Sequence, residues 1–281
     1  MGYRKIQNLY KDIRILDFKE CYALEKIHGT SAHITFKDGA LDFFSGGASH
    51  EPFIDLFNCS MLLSEFDALG YSSITIYGEA CGGKVQKMRH AYGDTLRFIA
   101  FEVKVGDDWQ TVPVANVLAT KLGLDFVDWE RGEATLDWIN KQRDKPSSLA
   151  EKLGLGEQMR EGVVLRPIDE VLDYRGDRII TKHKRAEFRE TKTKREIDPE
   201  KLMVLAESRE VSAEWVTQMR LEHILDKMPE KGEMKHVPLV IKMMIEDVKL
   251  ESFGEVEWSK AVEKAIGKDT VLLYKKHISK I

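Results

Sequence analysis

"YALEKIHGTSAHITF", Tyr22 to Phe36, carries the aromatic and β-branched residues of a buried strand, yet Glu25, Lys26 and His28 interrupt it. A lysine between apolar neighbours has two readings. It is an edge residue whose ammonium reaches water while its stem lies on apolar surface, or it is a nucleophilic amine. The second makes demands on the rest of the chain. Free lysine titrates at ~10.4, so at pH 7 about one molecule in 2,500 is neutral, and bringing it to about 7 takes roughly 4.6 kcal/mol of differential interaction. Desolvation, a metal ion or neighbouring cations supply that. A nucleophilic Lys26 therefore predicts cationic companions elsewhere.

With 281 residues, 43% of them apolar, the chain can bury the core of one large and one small domain, or of two domains. No run of about 18 apolar residues occurs and the N-terminal stretch lacks the apolar core of a signal peptide, so the expectation is an intracellular, cytoplasmic protein with no membrane partner. Cys21, Cys59 and Cys81 share no metal-type spacing and read as reduced thiols. The net charge of −4 argues against a uniformly basic nucleic-acid coat but leaves room for a local one. "KHKRAEFRETKTKR", Lys182 to Arg195, holds seven Lys or Arg against two Glu; it reads as a solvated linker or as a surface for phosphates.

From about residue 20 to 182 short strands alternate with turns. "SAHITFKDGALDFFSGG" reads as two strands around a Lys37-Asp38-Gly39 turn, and "SSITIYGEA", "LRFIAFEVKVGDDWQTVPV", "EGVVLRP" and "DRIITKHK" as further strands. Helical pieces lie between: "HEPFIDLFNCSMLLSEFDAL", "PVANVLATKLGL", "TLDWINKQRD" and "SSLAEKLGL". The order is neither regular βαβ nor all-β, which predicts α+β with mostly antiparallel sheet. After Arg195 the texture is helical. Asp198 is placed to cap a helix with Pro199 at its first position, and "SAEWVTQMRLEHILDKM", "VPLVIKMMIEDVKLESF" and "VEWSKAVEKAIG" continue as helices. The expected domains are 1–195 and 196–281.

Four further stretches bear on Lys26. "YGEACGG" runs from Tyr77 to Gly83, "FIAFEVK" from Phe98 to Lys104, "EGVVLRP" from Glu161 to Pro167 and "IITKHKRAEFRE" from Ile179. In the last, Lys182 and Lys184 are two apart and share one face of a strand. These are cationic companions of the required kind. Taken in order, "EKIHGTS" and the four stretches resemble motifs I, III, IIIa, IV and V of the covalent nucleotidyltransferases, the superfamily of ATP-dependent DNA and RNA ligases and mRNA capping enzymes. The Lys-x-His-Gly form with a preceding Glu is similar to the RNA ligase 2 branch, found in phages and elsewhere. The resemblance covers about two-thirds of the chain, residues 25 to 189, and implies an antiparallel-sheet adenylation domain.

It also implies roles. Lys26 is the adenylated nucleophile, with His28, Lys182 and Lys184 catalytic. Glu25, Ile27, Glu79, Phe101, Val164 and Arg166 contact the nucleotide: Glu79 the ribose, Phe101 and Val164 opposite faces of adenine, Arg166 the phosphates. Glu161, with Glu79, places Mg²⁺ or Mn²⁺. Three departures stand out. Motif Ia of the family usually presents an Arg where this chain has Ser45, Gly46 and Gly47; Ser31 stands where Asn is common; and Glu102 stands where Asp is common. "GEACGGKV", Gly78 to Val85, imitates a P-loop but puts Val85 where Mg²⁺ requires a hydroxyl, so the P-loop reading is set aside and Lys84 and Lys87 are free to face nucleic acid.

The reaction so implied has three steps: lysyl-AMP formation from ATP, transfer of AMP to a polynucleotide 5′-phosphate, and attack by a 3′-hydroxyl that expels AMP. Capping enzymes and most DNA ligases follow motif V with a strand-rich OB-fold, whereas this chain continues as helices, as in the RNA ligase 2 arrangement. The resemblance thus points to a monomeric ATP-dependent RNA ligase, cellular or phage-encoded, acting on nicked or broken RNA. DNA or mixed strands as substrate, or a non-catalytic nucleic-acid-binding relative, are the alternatives.

Overall fold

The computed structural model describes residues 3–173, 176–188, 197–228 and 233–279. The chain divides into two compact units, residues 1–195 and 196–281. In the first, ten strands form two five-stranded sheets. They are β1 (Gln7–Asn8), β2 (Glu20–Lys26), β3 (Thr30–Lys37), β4 (Ala40–Phe44), β5 (Ser73–Cys81), β6 (Arg97–Val105), β7 (Asp108–Trp109), β8 (Trp129–Glu133), β9 (Gly162–Pro167) and β10 (Thr181–Lys184). One sheet has the order β1-β10-β9-β2-β8, the other β4-β3-β5-β6-β7. Every pairing is antiparallel except β1 with β10.

The stretch Tyr22–Phe36 is thus two strands in different sheets, not one. The chain crosses over at Ile27–Gly29, and Gly29 approaches β5 so closely that a Cβ there would lie 2.2 Å from the Ala80 carbonyl oxygen. After the crossover, Ala32, Ile34 and Phe36 alternate into a core with Ile74 and Ile76 of β5 and with Phe53 and Phe66. Ser31, His33 and Thr35 take the opposite face. The β3–β4 turn places Asp38 and Gly39 at positive φ, 49° and 79°, the two-residue geometry that matches strand twist.

Six helices accompany the strands among the described residues: α1 (His50–Ile54), α2 (Cys59–Leu69), α3 (Arg89–Tyr92), α4 (Val112–Lys121), α5 (Leu136–Arg143) and α6 (Ser148–Lys152). The continuous helix expected over residues 50–69 is broken, because Asn58 caps a new start by accepting from the Met61 amide. Two strands escaped the pattern reading: β1, only two residues long, and β8, whose "WERGE" is charged because it lies at a sheet edge. All three cysteines are free thiols, with Cys21 and Cys81 buried.

The second unit is four helices, α7 (Pro199–Trp215), α8 (Gln218–Asp226), α9 (Val237–Glu251) and α10 (Lys260–Ile278). They enclose Leu221, Ile224, Val240, Met244, Ile266 and Tyr274. Asp198 caps α7 as expected. The helix expected over 212–228 breaks at Val216 and Thr217, where the Thr217 hydroxyl accepts from the Arg220 amide. No helix among the described residues is long and apolar enough to cross a membrane.

Candidate active site

Strand register assembles the site. Lys26, the last residue of β2, is paired with Gly162 of β9, which is paired with Lys184 of β10. Two residues along, Leu24, Val164 and Lys182 form the next row. Because side chains alternate, these rows share one sheet face, and lysines 156 and 158 positions after Lys26 meet it there.

Glu161, buried ahead of β9, is the common anion of Lys26, Lys184 and His28. Lys26 Nζ donates to its Oε2 at 3.0 Å and His28 Nδ1 lies 3.2 Å from the same oxygen, while Lys184 Nζ sits 2.7 Å from Oε1. Burial works to raise this carboxyl, but His28, Lys26 and Lys184 hold it down at about 2. Glu79 is the opposite case. Burial pushes it up to about 6, against the pull of Lys26 and with the nearby Glu161 charge adding to the rise. Glu79 Oε1 accepts the Gly29 amide at 3.0 Å, and the buried Tyr92 hydroxyl accepts the His28 amide at 3.1 Å. The turn after Lys26 is therefore held from β5 and from α3. The His28 ring also meets Phe188 edge to face, centroids 5.4 Å apart.

Beside this cluster lies a cavity of about 240 Å³. Ile27, Phe101, Val127 and Val164 line it, with Lys26, Lys182 and Glu79 at its polar side. Phe101 and Val164 thus line one cavity. Ser31 also lines it, and its buried Oγ has no hydrogen-bond partner among the described residues. The missing motif Ia arginine has a local reason. Gly46 lies at φ 59° against β3, where a Cβ would be 2.1 Å from the Ser31 carbonyl oxygen.

Two expected nucleotide contacts are otherwise engaged. Glu25 alternates away from Lys26, and its carboxylate takes the Ser147 hydroxyl at 2.6 Å and the Ser148 amide at 3.0 Å at the start of α6. Arg166 reaches the far end of the cavity, but its guanidinium is buried against Glu102 at 3.1 Å, the Gln110 carbonyl at 2.6 Å and Glu170. Its partners in the structure are two carboxylates and a backbone carbonyl. Glu102 also binds Arg178 at 2.5 Å and the Tyr3 hydroxyl; burial raises its carboxyl, yet the two arginines hold it below the ordinary range. Tyr3, Tyr92 and Arg178 escaped the sequence reading because they lie outside the recognised stretches. Of the basic run Lys182–Arg195, Arg189 to Arg195 lie outside the described residues.

The RNA ligase family model matches residues 19–184, the span that carries every one of these strands from β2 to β10. The chain belongs to the RNA ligase family. No curated protein sequence matches it. Among solved structures, this RNA ligase family chain is similar to a Naegleria gruberi RNA ligase with PPi, at 14% identity and a TM-score of 0.52, over 67% of this chain and 57% of that one. A variant of that enzyme with ATP and Mn, at 15% identity, and another with AMP and Mn, at 14%, match with the same score and coverage. At such identities the likeness establishes the fold, and the chain spans 57% of the length of the structures it matches.

The donor set suits a hard divalent cation. Among the described residues no group of three His, Cys, Asp or Glu could hold a metal. An ionised Glu161 with Glu79 nearby provides carboxylate oxygens for a cation that takes its remaining ligands from water and substrate phosphates.

Proposed function

We propose that the chain is an ATP-dependent RNA ligase, with residues 1–195 as its adenylation domain and 196–281 as a separate helical domain. One observation carries the reading: Lys26, His28 and Lys184 converge on the buried Glu161 at the edge of a cavity walled by Phe101 and Val164. The family membership and the ATP-, AMP- and PPi-bound relatives support it.

In the proposed first step adenine lies between Phe101 and Val164, with the ribose toward Glu79. Lys26 must leave Glu161 and give up its ammonium proton to water before its lone pair becomes available, and His28 and Lys184 keep that carboxylate paired meanwhile. Lys26 Nζ then forms a bond to the α-phosphorus of ATP, the bond to the bridging oxygen breaks, and pyrophosphate departs with that electron pair. Lys182 and Lys184 offset charge on the phosphate oxygens. Glu161 with Glu79 would hold a divalent cation, Mg²⁺ or Mn²⁺, which would supply further positive charge to the reacting phosphates. AMP passes next to a 5′-phosphate, and a 3′-hydroxyl closes the strand.

Incubation with α-labelled ATP and Mg²⁺ tests the first step. The wild type is expected to retain covalent AMP, lost in Lys26→Ala and on chelation. Label that persists in Lys26→Ala, or none on the wild type, defeats the proposal. Nicked substrates differing only in the 2′-hydroxyls beside the nick decide between RNA and DNA.

A further inference from the structure

The loop between β5 and β6 has two sides. Its inner residues Met88, Ala91 and Tyr92 are buried in the core beside β2. Its outer residues Lys84, Lys87, Arg89 and His90 are exposed. From Gly82 to Leu96 the sole acid is Asp94, which pairs with Arg89 at 2.6 Å with both side chains more than half exposed, a pairing of little strength. Lys84 and Lys87 make no ion pair or hydrogen bond among the described residues.

This loop is built, not slack. The Gly83 amide donates to the Gly93 carbonyl at 3.0 Å and closes its neck. Gly82 sits at φ 80°, where a Cβ would lie 2.3 Å from the Thr95 carbonyl oxygen. Gln86 and Lys87 follow one another at φ 51° and 58°, a left-handed pair that costs energy in residues with a Cβ. The strained pair turns Lys87 outward beside Lys84. The loop is also tied to the reacting centre, since it starts three residues after Glu79 and ends in Tyr92, whose hydroxyl holds the His28 amide.

We infer that Lys84 and Lys87, with Arg89, form a contact surface for the backbone phosphates of the RNA strand presented to Lys26. The inference rests on the proposed ligase function, which must bring a polyanion to this cluster in a chain of net charge −4. Charge complementarity selects the partner, because three outward cations without a strong acidic neighbour attract phosphates regardless of base sequence.

The experiment compares wild type with the Lys84→Ala/Lys87→Ala double variant in the full-length protein. Lysyl-AMP formation in the absence of RNA is expected to stay within about two-fold, which also shows that the variant folds. Affinity for a nicked RNA duplex at 0.1 M salt is expected to fall several-fold or more, and the slope of log K against log salt to shrink by about one per lysine removed. Unchanged affinity and slope in a variant that still adenylates overturns the inference. A wild type that fails to adenylate but binds RNA with a loop-dependent salt slope defeats the ligase reading and leaves the surface standing.

Discussion

Replacing Glu161 by Gln keeps the shape of the side chain and removes the carboxylate with which Lys26, His28 and Lys184 are all paired. A carboxyl ordinarily at 4.5 and held at about 2 when folded binds its proton less readily in the native state. Its stabilisation is therefore complete above 4.5 and drains away as pH falls toward 2. That gap corresponds to about 3 kcal/mol at neutral pH, close to the lower end of the ~3–5 kcal/mol for breaking a buried ion pair. Glu79 has the opposite sign. Raised to about 6, its charged form disfavours the fold at pH 7, and that burden lifts as pH falls from about 6 to 4.5. Part of that rise comes from the Glu161 charge, so the difference between the two proteins reads Glu161 together with its repulsion of Glu79. Hydrogen exchange at the amides of β2 and β9, corrected for intrinsic exchange, reads the first unit without the helical one. The variant is expected to lose about 3 kcal/mol of protection at pH 7 and less than half as much at pH 3. A loss below about 1 kcal/mol at pH 7, or one that does not change with pH, refutes the view that the Glu161 charge holds the three cations together.

Two other changes probe how the site is supported. Tyr92→Phe removes the acceptor of the His28 amide in the interior and is expected to cost about 1–2 kcal/mol, read by the same exchange measurement, and to slow adenylation while Tyr92→Phe protein still binds ATP. Glu102→Gln leaves Arg166 and Arg178 without their shared charge and is expected to cost about 3–5 kcal/mol in urea unfolding; a loss under 1 kcal/mol means the Glu170 carboxylate alone satisfies both guanidinium groups.

The chemistry of the site was more legible in the sequence than its geometry, and the reason is the range over which each rule acts. Lys182 and Lys184 could be assigned to one face from their spacing of two, and Asp198 to a cap from the proline after it, because both rules are local. Glu25 shows where locality fails. The period-two rule already sends it away from Lys26, but that Ser147 and the start of α6 wait on that side depends on a residue 122 positions further along the chain. Arg166 fails in the same way: its charge was legible, while Glu102, Glu170 and the Gln110 carbonyl that consume it arrive from β6, from past β9 and from just past β7. The break at Thr217 left a weaker trace, since a threonine inside an otherwise apolar periodic run costs a helix little and caps one equally well.

The position of Lys26 is decided by both sheets at once. Within its own sheet, pairing with β9 and β10 fixes which cations stand beside it, and that part is a matter of register. The backbone immediately after it is set by the other sheet and by α3, where Glu79 takes the Gly29 amide, Tyr92 takes the His28 amide, and Ala80 leaves no room for a side chain at Gly29. A side chain at the end of a strand whose next turn were free would sample many directions and lose orientation entropy on each approach to phosphate. Here the crossover is restrained by part-buried hydrogen bonds from β5 and α3, so on the proposed mechanism the amine is aimed before any nucleotide enters. The same arrangement explains why the loop that carries Lys84 and Lys87 belongs beside the site. It grows from the strand that supplies Glu79 and passes through the residue that grips His28, so on the proposed reading an RNA strand held on its outer face would be linked to the turn that carries Lys26.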